Sequence, residues 1–273
     1  MDRAGSLPAV SGSSPSGDGP RPVHPTVISV VMPAFNEATT LDPSVREVVE
    51  GLRIAKREFE IVIIENGSTD DTLEIARALA AELPEVVVVQ MPVADYGRAL
   101  RAGFLAAQGD YVFNFDVDYF DLEFLADALI LLEGGKSLPG DTVPTIVVGS
   151  KRGRDAVDRR HWSRRVVTAG FSVALRTLFR LKVSDTHGMK GMHRGVLTPV
   201  VERCRFGADI FDTEFVLRAE RAGLTVDELP VEVVERRPSR TTIVRRIPRS
   251  VLALLRLRVA LWQESLRRDR SGP

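Results

Sequence analysis

Residues 27–37 read VISVVMPAFNE, a run of β-branched and other apolar residues that ends in a polar loop. A continuous apolar run of this length is typical of a strand buried in a parallel sheet. Asp42 and Pro43 follow in the order of a helix cap and a first helical residue, and apolar residues then recur at helical spacing up to Leu52. The stretch therefore predicts a strand, a polar turn and a helix in succession.

The same unit recurs through the first half of the chain. Further strands are predicted over residues 60–64, 86–89 and 111–115, and further helices over residues 69–83, 97–108 and 122–133. Strands and helices that alternate through short loops indicate a parallel sheet covered on both faces. The predicted fold class is α/β, a single domain with a mostly parallel central sheet flanked by helices.

The second half of the chain is less regular. Strands are predicted over residues 145–149 and 225–234, helices over residues 164–179, 211–222 and 250–266, and a Gly-rich stretch over residues 187–191. We expect residues 1–25 to form a disordered leader, because they contain few large apolar residues. The expected organisation is that leader, one domain over residues 26–245 and a basic amphipathic helix over residues 246–273.

Composition excludes several classes of protein. Of 273 residues, 44% are hydrophobic and 27% are charged, proportions that exclude a wholly disordered chain, a collagen and a coiled coil. Cys204 is the only cysteine, so an internal disulfide and a zinc cluster of cysteines are both excluded. No apolar run approaches the roughly 20 residues that cross a bilayer. We expect a cytoplasmic protein that lies peripherally on the inner face of the membrane.

Charge is distributed unevenly along the chain. The 37 basic and 37 acidic residues balance, but residues 236–270 contain 11 Arg and only two acidic residues. No motif for nucleic-acid binding accompanies this basic segment. Two interpretations stay open, a solvated helix face or a surface that lies on an anionic membrane with Leu252, Leu255, Val259 and Trp262 against lipid.

Four polar clusters follow predicted strands, at residues 33–37, 65–70, 95–98 and 116–118. In an open α/β sheet, ligands bind beyond the carboxyl ends of the strands. Neither the GxGxxG pattern of dinucleotide-binding enzymes nor the GxxxxGK[ST] pattern of P-loop enzymes occurs, so those modes of nucleotide binding are disfavoured.

Asp116 and Asp118 are the most informative of these residues. Two carboxylates at one strand end repel each other unless a cation neutralises them. Hard carboxylate oxygens favour Mg²⁺ or Mn²⁺, ions that also bridge to a diphosphate. A DxD pattern also occurs in many surface loops, so the pattern alone does not establish a metal site.

Taken together, the motifs resemble family-2 glycosyltransferases of the GT-A fold. The resemblance rests on residues 33–37 (PAFNE), 65–70 (ENGSTD) and 109–118, in which GDY leads into DVD. Residues 183–188, 211–214 and 228–231 resemble the dolichol-phosphate mannose synthase branch more narrowly, and the likeness extends from Val27 to Thr242. Three motifs depart from the pattern of the synthases. Glu65-Asn66 replaces the usual Asp-Asp, and His187-Gly188-Met189-Lys190 replaces Gly-Gly-Phe-Arg. Ser239-Arg240-Thr241-Thr242 replaces the closing Gly-x-Ser-Lys.

The resemblance implies roles for individual residues in donor binding. The loop of Pro33, Phe35 and Glu37, together with Glu65, would hold the base and ribose of a nucleotide. Asn66, Gly67 and Asp95 lie in the same strand-end clusters and are further candidates for substrate binding. The role of His187 is left open.

The resemblance also implies roles in metal binding and catalysis. Asp116 and Asp118 would bind the diphosphate through Mg²⁺ or Mn²⁺, and Asp212 would be a third ligand where the synthases carry Gln. Asp118 and Glu214 are the catalytic candidates. Basic residues that match phosphate-contacting positions of the family are Lys151, Arg164 and Arg236.

The predicted function is a metal-dependent, inverting transfer of a sugar from a GDP- or UDP-linked donor to a polyprenyl phosphate. One alternative is a family-2 enzyme with a hydroxyl acceptor, in which Glu214 would be the general base. Another is a non-catalytic module that binds nucleotide or membrane. Simpler roles also stay open, with Asp42 and Asp71 as helix caps, Asp95 in a turn and Glu214 as a surface acid.

Overall fold

The protein is described by a computed structural model, which covers residues 27–135, 143–150, 179, 183, 186–207, 210–231 and 252–264. Within these residues the strands are β1 Val27–Ala34, β2 Glu58–Asn66, β3 Val86–Met91, β4 Tyr111–Asn114, β5 Ile146–Ser150, β6 Lys190–His193 and β7 Val226–Pro230. The helices are α1 Leu41–Ile54, α2 Thr72–Glu82, α3 Tyr96–Ala106, α4 Leu122–Leu132, α5 Arg194–Arg203, α6 Phe211–Arg221 and α7 over residues 252–264. The predicted leader and the candidates Lys151, Arg164 and Arg236 lie outside the described residues.

The strands form a single sheet in the order β3-β2-β1-β4-β6-β5-β7. Strands β1 to β4 are parallel, and β7 is parallel to β5. Only β6 among the described strands runs antiparallel, to both β4 and β5. The predicted α/β class with a mostly parallel sheet is confirmed.

Strand β6 and helix α5 were not predicted, and the Gly-rich stretch over residues 187–191 overlaps the first two residues of β6. Gly191 lies opposite Phe113 in the pairing of β6 with β4. A Cβ atom at position 191 would overlap the Phe113 ring. Glycine is therefore required there by the close approach of a ring from the next strand, and it does not mark a turn.

Apolar residues fill both faces of the sheet. Helices α1, α2 and α4 pack on one face, where Val45, Leu79 and Phe124 are among the buried side chains. Helices α3, α5, α6 and α7 pack on the other, around Phe104 and Phe215. Burial on both faces is the reason that the first strands read as continuous apolar runs.

Helix α7 has two apolar faces. Leu254, Leu257 and Leu261 are buried in the same cluster as α6. The large side chains on the other side of the helix are exposed, namely Leu252, Leu255, Val259 and Trp262. The predicted C-terminal helix therefore packs into the core of the sheet domain. Among the described residues, no helix has the length and apolar character needed to cross a membrane.

Of the two predicted helix caps, the one at Asp42 is wrong. Helix α1 begins at Leu41, one residue before Asp42, and Asp42 instead accepts a hydrogen bond from Arg46 Nε at 3.0 Å. Asp71 occupies the N-cap position of α2, but its side chain makes no capping hydrogen bond. Asp70 Oδ1 takes that role and accepts from the Thr72 N–H at 3.1 Å.

Candidate active site

The loops that follow β1 and β2 are joined by hydrogen bonds. The Asn36 N–H donates to Ser68 Oγ at 3.0 Å, and the Thr69 N–H donates to Asn36 Oδ1 at 2.8 Å. Asn36 has a φ of 55°, a left-handed conformation that Asn tolerates better than most residues. Next to it Phe35 is 44% exposed. The joined loops thus present an aromatic ring, which can stack on a flat base, at the carboxyl edge of the sheet.

Pro33 and Glu37, the other candidates in the first loop, have supporting contacts. Pro33 is buried within β1. The Glu37 N–H donates to Thr72 Oγ1 at 2.8 Å, and its carboxylate accepts a hydrogen bond from the Thr40 hydroxyl. Both residues therefore hold the loop that carries Phe35.

Glu65, Asn66 and Gly67 form the turn after β2. Glu65 is 2% exposed, and its Oε1 accepts from the Ser68 N–H at 2.6 Å. Asn66 Oδ1 accepts from the Asp95 N–H at 2.9 Å. Gly67 has a φ of 69°, and a Cβ there would lie 3.0 Å from the Ala94 backbone nitrogen. The side chains of Glu65 and Asn66 face inward in this structure and fix the shape of the edge.

Asp95 ends the loop after β3 and caps α3. Its Oδ1 accepts from the Arg98 N–H at 2.9 Å, so the simpler role considered for Asp95, in a strand-to-helix turn, is the one that the structure displays. A Cβ at Gly207 would lie 2.5 Å from Asp95 Oδ2. The segment before α6 therefore lies directly against the Asp95 carboxylate.

Asp116 and Asp118 follow β4 on one side of the chain. Val117 between them is buried in the core, whereas both carboxylates are half-buried. Asp116 and Tyr119 exchange two backbone hydrogen bonds of 3.1 Å, which close the turn. The turn places two hard carboxylate groups at the carboxyl edge, a donor set that suits Mg²⁺ or Mn²⁺.

Tyr96, at the start of α3, lies among the predicted metal ligands. Its hydroxyl donates to Asp116 Oδ1 at 2.9 Å. Burial raises the pKa of Tyr96 well above its ordinary value, and the negative charges of Asp116, Asp212 and Asp118 raise it further. One phenol therefore feels the charges of all three acidic candidates, and it donates a hydrogen bond to Asp116.

Asp212 forms a buried ion pair. Lys190 Nζ lies 2.6 Å from Asp212 Oδ1 and also donates to the Gly188 carbonyl oxygen at 2.9 Å. The two side chains are 1% and 8% exposed. Among the described residues, no three His, Cys, Asp or Glu side chains are arranged to hold a metal ion together. The predicted convergence of Asp116, Asp118 and Asp212 on one ion is therefore not seen, and Lys190 occupies one oxygen of Asp212.

Glu214 is fully buried, so its interpretation as a surface acid is wrong. Its Oε2 accepts from the N–H groups of Arg205 and Phe206 at 2.9 and 2.8 Å, and its Oε1 accepts from Arg218 Nε at 2.8 Å. Arg218 in turn donates to both carboxylate oxygens of Glu264 on α7, at 2.9 and 3.2 Å. Glu214 thus anchors α6, the segment before it and α7 to one another.

Three residues of the site were missed in the sequence. Tyr96 lies in the strand-end cluster of residues 95–98, but no sequence pattern indicated its contact with Asp116. Lys190 occupies a position where the resembling synthases carry Arg, which was a usable signal for a buried cation. Arg218 lies four residues after Glu214, the spacing of a helical ion pair.

His187, whose role was left open, contacts the Thr186 hydroxyl through Nδ1 at 3.1 Å.

The chain is similar to known proteins over much of its length. The pattern of the family described as "Glycosyl transferase family 2" matches residues 29–198. Glycosyltransferase AglD of Haloferax volcanii is 30% identical over 245 residues, which are 88% of this chain and 38% of AglD. Dolichyl-phosphate beta-glucosyltransferase ALG5A of Trichomonas vaginalis is 29% identical over 221 residues, 75% of this chain and 65% of that protein. The chain thus spans about two fifths of the first relative and just under two thirds of the second.

A solved structure has the same fold. Glucosyl-3-phosphoglycerate synthase from Mycobacterium tuberculosis, in complex with Mn²⁺, UDP and glucosyl-3-phosphoglycerate, superposes with a TM-score of 0.58. The match covers 85% of this chain and 80% of the synthase chain at 24% identity. This likeness confirms the predicted GT-A fold. The family match covers more than half of the chain, so the chain belongs to glycosyl transferase family 2.

Proposed function

We propose that this family-2 glycosyltransferase moves a sugar from a nucleotide-diphospho-sugar to a polyprenyl phosphate, with inversion and with Mg²⁺ or Mn²⁺ bound. We choose a phosphate acceptor because Glu214, the candidate general base for a hydroxyl acceptor, is completely buried and fully hydrogen-bonded. The name of the ALG5A relative, a dolichyl-phosphate glucosyltransferase, supports the same class of acceptor.

The donor is proposed to bind along the carboxyl edge of β1, β2 and β4. Phe35 is exposed where a base can stack, and the turn of Glu65 to Gly67 keeps the neighbouring loop in place. Asp116 and Asp118 would hold the divalent cation, which supplies charge stabilisation for the departing diphosphate. The UDP and Mn²⁺ in the solved synthase complex support this class of donor. Lys151, Arg164 and Arg236 remain proposed phosphate contacts.

The proposed reaction requires no general base. An oxygen of the acceptor phosphate forms a bond to the anomeric carbon while the bond from that carbon to the diphosphate oxygen breaks, and its electron pair leaves with the diphosphate. A phosphate acceptor is already ionised at neutral pH, so no proton has to be removed. A hydroxyl acceptor would need a base, and Glu214 is committed to three hydrogen bonds in the interior.

An acceptor assay tests this proposal. Radiolabelled UDP- and GDP-sugars are incubated with a short-chain polyprenyl phosphate or with 3-phosphoglycerate, and lipid product is extracted into butanol. We expect metal-dependent label in the butanol phase, and loss of most of it in Asp118→Asn. Label confined to the aqueous product with 3-phosphoglycerate would instead establish a hydroxyl acceptor and reject the proposal.

Helix α7 is proposed to lie on an anionic membrane surface, which makes the enzyme peripheral. Its outer face carries Leu255 and Trp262, which are 51% and 61% exposed, beside the exposed Arg256 and Arg258. Each basic side chain near an anionic surface contributes roughly 1 kcal/mol. A surface that is both apolar and basic is the kind that binds at the level of the lipid headgroups.

Vesicle cosedimentation across a salt series tests this surface. Leu255→Ser and Trp262→Ser change exposed side chains, so the core stays intact, and Ile54→Ser is the matched control at another exposed apolar position. We expect weaker binding to anionic vesicles in the two α7 variants only, with binding in all proteins falling as salt rises. Equal binding by all three variants and the wild type would contradict the proposal and would show that the arginines of α7 form an ordinary solvated face.

A further inference from the structure

Lys190 is a charged side chain buried in the interior, where it pairs with Asp212. It is fully buried, and its ammonium group contacts one carboxylate oxygen of Asp212 and one backbone carbonyl oxygen, of Gly188. Burying an ammonium group is costly unless it is paired and hydrogen-bonded, and Lys190 has both a carboxylate partner and a carbonyl acceptor.

The position of Lys190 in the sheet brings it to the face that carries the acidic cluster. In the antiparallel pairing of β4 with β6, Lys190 lies opposite Asn114, so both side chains are on one face of the sheet. Asn114 Oδ1 is buried and has no hydrogen-bond partner in the described part of the chain. Helices α3 and α6, which carry Tyr96 and Asp212, pack against this face.

The charges of the cluster give the argument. Tyr96 donates to Asp116 Oδ1 at 2.9 Å, and the carboxylates of Asp116, Asp118 and Asp212 near it carry three negative charges, whereas Lys190 carries one positive charge 2.6 Å from Asp212. Their sum of two negative charges equals the charge that one divalent cation neutralises. Without Lys190, the buried carboxylate of Asp212 would remain uncompensated even with the cation bound.

We infer that Lys190 is a built-in counter-ion for Asp212, so that Asp116 and Asp118 hold the divalent cation and Asp212 is not one of its ligands. The inference rests on the proposed metal dependence of the enzyme. Lys190 is then a positioning residue that matches the charge of the site to a divalent ion. The family resemblance implied the opposite role for Asp212, as a third ligand.

A charge-conserving double substitution tests the inference. Mn²⁺ is titrated into wild type, Lys190→Met, Asp212→Asn, the double variant Lys190→Met/Asp212→Asn and Asp118→Asn, with and without UDP, and free Mn²⁺ is measured by electron paramagnetic resonance. The double variant keeps the net charge of the cluster, so its Mn²⁺ affinity should stay within about threefold of wild type. Asp118→Asn removes a ligand, and its affinity should fall about tenfold or more.

The two single substitutions should change the Mn²⁺ affinity in opposite directions. Lys190→Met adds a net negative charge and should bind Mn²⁺ more tightly, whereas Asp212→Asn should bind it more weakly. Lys190→Arg keeps the charge and should resemble wild type if the larger group fits. Urea unfolding of each variant shows whether it is folded. If Lys190→Met alone fails to fold, the double variant still tests the inference, because it contains no unpaired charge at this pair.

The outcomes separate the inference from the proposed function. A double variant as weak in Mn²⁺ binding as Asp118→Asn would show that Asp212 is a ligand and would overturn the inference alone. Weaker Mn²⁺ binding by Lys190→Met would also overturn it. Absence of Mn²⁺ binding by the wild-type enzyme would reject the metal dependence itself, and the inference with it.

Discussion

After β1 and β2 the strand-end loops are held by hydrogen bonds that backbone N–H groups donate to side chains, whereas the polar contacts around α6 include ion pairs buried in the core. In the first region Asn36 and Asn66 accept from backbone N–H groups of neighbouring loops. Its ion pairs, such as that of Arg53 with Glu85, lie on the surface. In the second region Lys190 pairs with Asp212, and Arg218 joins Glu214 to Glu264, with Lys190, Asp212, Glu214 and Arg218 buried.

Because of this difference, we expect substitutions in the two regions to destabilise the protein for different physical reasons. Hydrogen bonds in the first region hold the backbone turns of neighbouring loops in place. Buried charges in the second region join α6 to β6 and to α7, and each charge depends on its partner. Loss of one partner there leaves a desolvated charge, whereas loss of a surface partner leaves a charge in water.

The largest expected effect follows from removing the central cation of the second region. Arg218→Met leaves Glu214 buried without its counter-ion, and the free energy of unfolding should fall by about 3–5 kcal/mol. Urea denaturation followed by circular dichroism measures this loss. If Arg218→Met were as stable as wild type, the buried network would carry no energy and the contrast between the regions would fail.

A backbone change tests the first region. Gly67→Ala places a Cβ on a residue with a φ of 69° and brings it 3.0 Å from the Ala94 nitrogen, which is tighter than an ordinary contact. We expect a loss of about 1–3 kcal/mol of unfolding free energy, and weaker binding of UDP measured by calorimetry. Gly195→Ala is the matched control, because nothing lies within 4 Å of its Cβ position. Equal effects of the two substitutions would contradict the role of the turn.

Alkaline pH tests the second region through Cys204. Burial, and then the charge of Glu214, raises the pKa of the Cys204 thiol above its ordinary value. The thiol is neutral in both states below about pH 8.5, and above that pH only the unfolded chain ionises, so stability should fall by up to about 1.4 kcal/mol per pH unit. Unfolding free energies at several pH values should decline less steeply in Cys204→Ala. Parallel declines in the two proteins would show that the thiol titrates normally.

The smallest expected effect is at the surface of the first region. Arg53→Met removes an ion pair in which the Arg53 side chain is 49% exposed, and we expect a change below about 1 kcal/mol. Urea denaturation beside Arg218→Met compares the two directly, since both substitutions replace Arg by Met. A loss at Arg53 as large as that at Arg218 would remove the distinction between exposed and buried pairs.

The sequence predicted the first region better than the second for a physical reason. Strand β1 is buried on both faces, so its sequence is a continuous apolar run that predicts a strand. The polar loops at the strand ends follow from the α/β repeat. Strand β6 is four residues long and contains Gly191, so no periodicity marks it. The loop contacts of Glu65 and Asn66 depend on side-chain direction, which spacing does not determine.

The ion pairs of the second region were not predictable from local patterns. Lys190 lies 22 residues from Asp212, and Arg218 lies 46 residues from Glu264. Pairs of this separation form because the sheet order places β6 beside β4 and because α7 returns to pack on α6. Only the pair of Glu214 with Arg218 has a helical spacing that the sequence displays.

The position of α7 has a consequence for the synthesis of the protein. Leu254, Leu257 and Leu261 fill the apolar cluster that also contains Phe211 and Phe215, yet the ribosome adds them after every strand described in the sheet. A nascent chain that has reached residue 245 therefore still exposes the surface that α7 will cover. Exposed apolar surface in partly synthesised chains is prone to aggregation. Chaperone demand during translation should therefore peak late, between the completion of α6 and the emergence of Leu261.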